Sequence, residues 1–165
     1  MESNRTKIRE ELLEILPNLR RFCAALTGNR ADADDLLQST IERVLQKSMP
    51  EDADPKRWTF RVAKNLWIDE HRRRAVRAAE PYEDVHPGTG GETAAANAAT
   101  LTRVREAVGR LPEDQRLVLT CVAMEGLSYK ETASILSVPI GTVMSRLSRA
   151  RKTLSQQFPE EAING

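Results

Sequence analysis

Apolar residues recur at helical spacing in the first half of the sequence and predict three helices there. The first apolar stripe lies within residues 12–26 and stops before Gly28, a typical C-terminal cap. Asp32 is the predicted N-cap of the second helix, and Asp54 followed by Pro55 predicts the start of the third. The expected buried positions of the second helix are Leu37, Ile41, Val44 and Leu45, and those of the third are Trp58, Thr59, Val62, Ala63 and Leu66.

The periodicity disappears between residues 80 and 98, where two prolines and three glycines predict a flexible linker with a little helix at its end. Two further helices are predicted beyond it. Their apolar positions are Leu101, Val104, Val108 and Leu111 in one and Leu117, Val118, Cys121 and Val122 in the other. The sequence therefore predicts an all-α protein with two small helical domains, residues 1–79 and 99–158, a linker, and a tail of residues 159–165.

The second domain ends in a predicted helix-turn-helix. Ser128 and Glu131 have the spacing of a capping box and begin a short helix that runs through Leu136. After a tight turn, the last helix is expected from about Thr142 to Gln157. The order helix, short turn, helix is typical of DNA-binding domains.

The last helix has a face that its apolar stripe determines. Residues Val143, Leu147, Ala150 and Leu154 share one side, so that Ser145, Ser148, Arg149 and Lys152 lie opposite, at about 100° per residue. Hydroxyl and arginine side chains near a helix start suit the major groove, and Arg146 and Arg151 on the flanks suit phosphates. The alternative is an ordinary solvated face. The absence of any acid between residues 141 and 157 argues against it.

Charge is segregated along the chain although the net charge is only +1. The second helix is acidic on its exposed face, whereas the third carries Arg61, Lys64, His71 and Arg72 on one side. On an adjacent stripe of that helix, Asp69 is predicted to pair with Arg73. Aromatic residues lie beside these cations and can either fill a core or stack on unpaired bases. A core position is predicted for Trp58, and both interpretations stay open for Phe60 and Trp67.

The sequence contains no arrangement that predicts a cofactor, a metal site or a disulfide. Cys23 and Cys121 stand apart in apolar surroundings and are expected in the core. Neither a signal peptide nor an apolar run of about 18 residues is present, which predicts no membrane insertion and a cytoplasmic protein.

Three segments, DADDLLQSTIERVL, WTFRVAKNLWIDEHRRR and residues 111–154, resemble those of small sigma factors of the extracytoplasmic-function (ECF) group, in the sigma-70 family. The resemblance implies that Asp35 and Gln38 contact core RNA polymerase, and the acidic face of the same helix adds Glu42. It also implies recognition of two promoter boxes and regulation by an anti-sigma factor. The residues implied at the box nearest the start site, the −10 element, are Lys64, Asn65, Asp69, Arg72 and Arg73, beside Arg61 and His71. Those implied at the distal box, the −35 element, are Lys130, Thr142, Ser145, Arg146, Ser148 and Arg149, with Lys152 on the same face.

The segment SMPEDADP matches the loop in which family members capture a flipped base. The chain also departs from the family pattern. Ser39 replaces a usual acid, which predicts softer polymerase affinity, Thr59 replaces a usual leucine, and Met144 stands where arginine or lysine is frequent.

Three other function classes compete with a sigma factor. A sigma-like decoy would bind an anti-sigma factor without recognising DNA, but its basic surfaces should be eroded, and both persist here. A plain helix-turn-helix repressor would leave the first two segments without a role. An enzyme built on Asp32, Asp34 and Asp35 lacks a histidine or a phosphate loop nearby, and these acids also suit the start of a helix. The expected protein is therefore not an enzyme.

Overall fold

The computed structural model describes residues 2–77 and 96–158, and every regular element within those ranges is helical. The helices are α1 (Glu2–Thr27), α2 (Arg30–Gln46), α3 (Pro55–Arg77), α4 (Ala96–Gly109), α5 (Glu113–Leu119), α6 (Tyr129–Leu136) and α7 (Ile140–Gln157). A π-helical turn, Thr120–Met124, continues α5. The predicted tail and all but the last three residues of the predicted linker lie outside the described residues. The all-α prediction is confirmed.

The first three helices pack on one another around the buried side of α1. Phe22 and Phe60 meet in their centre, with ring centroids 4.9 Å apart. A second, smaller apolar cluster joins the N-terminal half of α1 to the end of α2 and to the loop before α3, where Met49 is buried. The SMPEDADP loop is therefore anchored at Met49, whereas its acids Glu51, Asp52 and Asp54 are exposed.

Predictions of helix ends were right at three positions and wrong at one. Helix α3 begins at Pro55, directly after Asp54, as predicted. Gly28 follows α1 with a positive φ of 80°, which glycine adopts without strain. The N-cap of α2 is Asn29 and not Asp32, because the Asn29 side chain accepts a hydrogen bond from the Asp32 backbone nitrogen. In α6 the predicted capping box is present, with Ser128 Oγ accepting from Glu131 N at 3.0 Å.

Several predicted core positions are more exposed than their apolar stripes suggested. Leu45 is 40% exposed at the end of α2, and Leu101 and Val104 are exposed at the start of α4. Three predicted core residues of α3 are only half-buried: Trp58, Val62 and Leu66. Phe60 and Trp67 are buried, so these two aromatic residues belong to the core. The burial of Phe60 and Trp67 has one cause: α3 packs a second side against α6 of the C-terminal half.

The two halves of the chain share one apolar core. It runs without a break from Leu19 and Phe22 in α1 through Ile135 in α6 to Val143 and Leu147 in α7. Helix α3 packs on α6, and α1 packs on the π-helical turn. The N-terminal and C-terminal helices are therefore docked on one another.

Candidate nucleic-acid and polymerase interface

The face of α7 predicted for the major groove is open to solvent. Ser145, Ser148, Arg149 and Lys152 are exposed, and Lys130 is exposed on α6. Thr142 is half-buried in the first turn of α7. The helix begins two residues before the predicted start, at Ile140, after the left-handed residue Ser137 (φ 56°) and Pro139 have formed the tight turn. The turn and the capping box thus fix the direction of α7 relative to α6.

Arg146 has a different environment from its neighbours on α7. Its guanidinium forms an ion pair with Asp114 of α5, at 3.4 Å between Nε and Oδ2, and its side chain is 27% exposed. This contact orients Arg146 along the edge of the helix, which is compatible with the predicted phosphate contact.

The residues predicted for the proximal promoter box divide into two groups. Asn65 and Arg73 are exposed, and Arg73 pairs with Glu70 at 3.5 Å and not with Asp69 as predicted. Arg61 and Lys64, in contrast, lie on the side of α3 that packs on the C-terminal helices. Arg72 is exposed, although its guanidinium forms an ion pair with Glu113. Helical spacing placed these three residues on one side, and the structure shows that the C-terminal helices cover Arg61 and Lys64.

Arg61 binds the C-terminal end of α6. Its Nη2 donates a hydrogen bond to the backbone oxygen of Ser134, at 2.6 Å. Carbonyls in the last turn of a helix lack partners within the helix and lie at the negative end of its dipole. A guanidinium is therefore a favourable ligand at this position.

Lys64 is buried, with only 8% of its surface exposed. Burial lowers the pKa of its ammonium, and the charge of Arg61 lowers it further. No carboxylate lies within ion-pair distance of Lys64 among the residues that the structure describes. The ammonium of Lys64 is thus a buried charge without a carboxylate counter-ion in this arrangement.

The Trp67 ring lies between the imidazole of His71 and the guanidinium of Arg116. His71 stacks on it within α3, with centroids 4.9 Å apart and an interplanar angle of 24°. The guanidinium of Arg116, from α5, lies 5.8 Å from the Trp67 ring centroid. Arg116 is only 7% exposed, and burial lowers its pKa. The aromatic surface that could stack on a base is therefore occupied.

Two ion pairs complete the contact between the halves. Arg72 Nη2 lies 3.3 Å from Glu113 Oε1, and Arg21 of α1 lies 3.5 Å from the carboxylate of Glu125. The Glu125 side chain is 2% exposed, and desolvation raises the pKa of its carboxyl although Arg21 opposes that effect. Sequence reasoning missed Arg21, Glu113, Arg116, Glu125 and Ser134, because no local pattern marks a residue that contacts another domain.

The predicted polymerase-binding residues share a face of α2. Asp35, Gln38 and Glu42 are exposed, and they line one wall of a groove of about 560 Å³ between α2 and α3. The opposite wall includes His71 and Arg73. The groove therefore brings the candidate polymerase contact next to candidate DNA contacts.

The described residues contain no group of His, Cys, Asp and Glu that could hold a metal ion. Cys23 and Cys121 are buried, as predicted, and burial raises the pKa of each thiol to about 12. Within the same described ranges, no helix has the length and apolar character to span a membrane.

Comparison with known protein families matches two regions of the chain. Residues 13–77 match the family described as Sigma-70 region 2, and residues 101–154 match Sigma-70, region 4. These matches correspond to α1–α3 and α4–α7. The chain belongs to the sigma-70 family.

Curated relatives narrow this class. The chain is 35% identical over 153 residues to the ECF RNA polymerase sigma factor EcfG of Rhodopseudomonas palustris, an alignment that covers 90% of this chain and 83% of that protein. It is also 35% identical over 140 residues to the ECF sigma factor SigM of Mycobacterium tuberculosis, covering 84% of this chain and 70% of SigM. Within its family, the chain is a member of the ECF group.

A solved structure shares the fold. The sigma factor RpoE of Bartonella quintana, determined in complex with the anti-sigma factor NepR, superposes with a TM-score of 0.73 at 28% identity. The match covers 94% of this chain and 98% of that one.

Proposed function

We propose that this protein binds core RNA polymerase and directs it to specific promoters, with α1–α3 serving the proximal box and α4–α7 the distal box. The observation that carries the proposal is the exposed, acid-free face of α7 behind a capped α6, in a chain of the ECF group. Core polymerase supplies the chemistry, and this chain supplies recognition. It therefore needs no catalytic residue of its own, and it acts in the cytoplasm, where the polymerase and the chromosome are.

The contribution of each half follows from its chemistry. The exposed acids and amide of α2, Asp35, Gln38 and Glu42, would hold the polymerase. The exposed arginines of α3, Arg72 and Arg73, would bind the unpaired strand through phosphate contacts. Arg149 and the hydroxyls of α7 would contact base edges of the duplex. Because two modest sites act together, affinity depends on the correct spacing of both promoter boxes.

An anti-sigma factor is a further proposed partner. The RpoE relative is bound by such a protein, and the likeness covers nearly the whole of both chains. A decoy function is disfavoured because the basic residues of α3 and α7 are retained and those of α7 are exposed.

Transcription in vitro tests the proposal. Purified chain and core polymerase are incubated with a library of fragments from the source genome, and transcripts are mapped by their start sites. We expect starts that share two upstream boxes and that require the added chain. Transcripts that are unchanged when the chain is left out would refute the function, and binding to an anti-sigma factor without such transcripts would identify a decoy.

A further inference from the structure

We propose that Ile140 and Met144 form an apolar edge on α7 that contacts the methyl groups of thymines in the distal box, so that this chain selects thymine there. The inference rests on the proposed function, from which it takes the role of α7. It adds a second kind of contact to that helix, because the residues predicted at the distal box are all polar or basic.

The two residues of this edge are large and open to solvent at the start of α7. The exposed fraction is 45% for Ile140 and 52% for Met144. They stand four positions apart, which places their side chains next to each other on one side of the helix. Ser148 follows in the same row one turn later and is exposed. The apolar edge therefore borders the face proposed for the duplex.

The other residues in the first turns of α7 offer little to a base. Val143 is buried, Gly141 has no side chain, and Thr142 is half-buried. The Ser145 hydroxyl donates a hydrogen bond to the Thr142 carbonyl within the helix, at 3.3 Å. The first turns of a recognition helix are the part that meets base edges in the major groove. In this chain the long side chains available there are therefore both apolar.

Gly141 lowers the helix surface beside this edge. It lies in the first turn of α7, and an added Cβ would meet no atom within 4 Å, so internal packing does not require glycine at this position. A missing side chain lets a base pair approach the helix backbone more closely than any other residue would allow. A base pair at that distance is also brought against the side chain of Met144.

Thymine is the base that suits an apolar side chain in the major groove. Its 5-methyl group is the apolar feature that a base pair presents there, whereas the other groups are hydrogen-bond donors and acceptors. A methionine side chain is unbranched and polarizable, so it can adapt to the position of a methyl group.

The surroundings of the edge favour DNA over a protein as its occupant. Helix α7 contains no acidic residue, and Arg149 and Lys152 are exposed on the neighbouring face. This charge matches a polyanion, which is held by cations on the phosphates while apolar contacts form in the groove. The apolar edge therefore lies where a duplex bound by these cations would present its base edges.

Removal of a single methyl group tests the inference. Deoxyuridine lacks the methyl group of thymidine and keeps its hydrogen-bonding groups. The holoenzyme is reconstituted from the full-length chain and core polymerase, its preferred promoter is selected from a random library, and each thymine of the distal box is replaced in turn. Affinities are measured by competition. We expect at least one replacement to weaken binding by about fourfold, the change that corresponds to the burial of one methyl group.

Substitution of Met144 should remove this discrimination. In Met144→Ala, thymidine and deoxyuridine should bind equally at the position that Met144 contacts, and Met144→Leu should restore most of the difference because leucine is also apolar. Met144→Arg should shift the choice towards guanine, the base that arginine binds most often. The matched control is Met124→Ala, which truncates a methionine of nearly equal exposure, 51%, in the π-helical turn. That variant should keep the fourfold difference.

Three results would overturn the inference: a selected distal box without thymine, no effect of deoxyuridine at any thymine of the box, or effects that persist unchanged in Met144→Ala. Weaker binding of Met144→Ala to core polymerase with an unchanged thymine preference would also overturn it, because the edge would then contact a protein. The deoxyuridine series on the wild-type chain gives a result even if a variant fails to fold. A holoenzyme that selects no shared box would refute the proposed function itself, so the two failures are distinguishable.

Discussion

The carboxylate of Asp32 accepts hydrogen bonds from both Nη atoms of Arg74, at 2.7 and 2.9 Å. These bonds connect the first turn of α2 to the last part of α3. The Arg74 hydrogen bonds lower the pKa of Asp32, and the Asn29 side chain lowers it further. A carboxyl whose folded pKa is depressed stabilises the fold above its unfolded pKa and loses that effect as the pH falls through the folded one.

We therefore expect Asp32→Asn to reduce the free energy of unfolding at pH 7 by about 1 kcal/mol or less, since the partner arginine is more than half exposed. Below the ordinary aspartate pKa near 3.8 the difference from the wild type should shrink. Urea unfolding at pH 7 and near pH 3 measures both effects. The control Asp34→Asn changes an exposed acid of the same helix, and an equal loss there would argue against the Arg74 contact as the cause.

The capping box of α6 predicts a second stability effect. Ser128→Ala removes the acceptor for Glu131 N, so we expect a loss of about 1 kcal/mol in unfolding free energy. The backbone nitrogen and the hydroxyl of Ser128 both lower the pKa of Glu131, the backbone nitrogen more. Alanine keeps the backbone donor, so the substitution should raise that pKa only part of the way to its ordinary value. Thermal unfolding measures the loss. Ser155→Ala, at an exposed serine near the end of α7, should be close to neutral.

Arg149 should contribute sequence specificity at the distal box. We expect Arg149→Ala to weaken binding of the preferred duplex by about 1–3 kcal/mol and to relax the choice at one base pair. Promoter selection with reconstituted holoenzyme, before and after the substitution, measures both quantities. Arg105→Ala removes an exposed arginine of α4 and should leave the selected sequence unchanged. An equal loss of affinity for all duplex sequences would indicate that Arg149 contacts a phosphate and not a base.

Gln38 should contribute to the binding of core polymerase and not to the binding of DNA. Gln38→Ala is expected to weaken binding to core polymerase while binding of a distal-box duplex by the full chain stays intact. A fluorescence competition assay with core enzyme measures the first and anisotropy the second. Gln46→Ala changes an exposed glutamine at the end of the same helix and serves as the control. Loss of both activities in Gln38→Ala would contradict the assignment of α2.

The cysteines should be inert in the folded protein. Burial raises the pKa of both thiols far above pH 8, so very little of the reactive thiolate forms at that pH. Cys23 and Cys121 are also fully buried, so we expect alkylation by iodoacetamide to follow unfolding. Mass spectrometry of the native and urea-treated chain checks this. Rapid labelling of Cys121 alone under native conditions would mean that the C-terminal half opens locally.

Local chemistry explains where sequence reasoning was accurate. The capping box at Ser128, the turn before α7 and the face opposite Val143 depend on residues within one or two turns of each other. Trp67 shows the limit. Helical periodicity placed it beside a basic surface, but whether it faced solvent or protein depended on Arg116, 49 positions further along the chain.

The same limit accounts for Leu45, Leu101 and Val104. Their apolar character indicated burial, but no helix within residues 2–77 and 96–158 covers them. Periodicity reports which residues share a side. It does not report how far the neighbouring helix extends along that side. Asp32 differs, because both Asn29 and Asp32 are good N-caps, and α2 begins three residues earlier than an Asp32 cap would allow.

The acceptor of the Arg61 hydrogen bond is a main-chain oxygen, and every amino acid carries one. Substitutions at position 134 that preserve the helix would leave it in place, so genetic drift in α6 has little power to remove the contact. Loss would have to come through Arg61, a residue that is also predicted at the proximal promoter box. Selection for promoter binding would then preserve the internal contact as well, without acting on it directly.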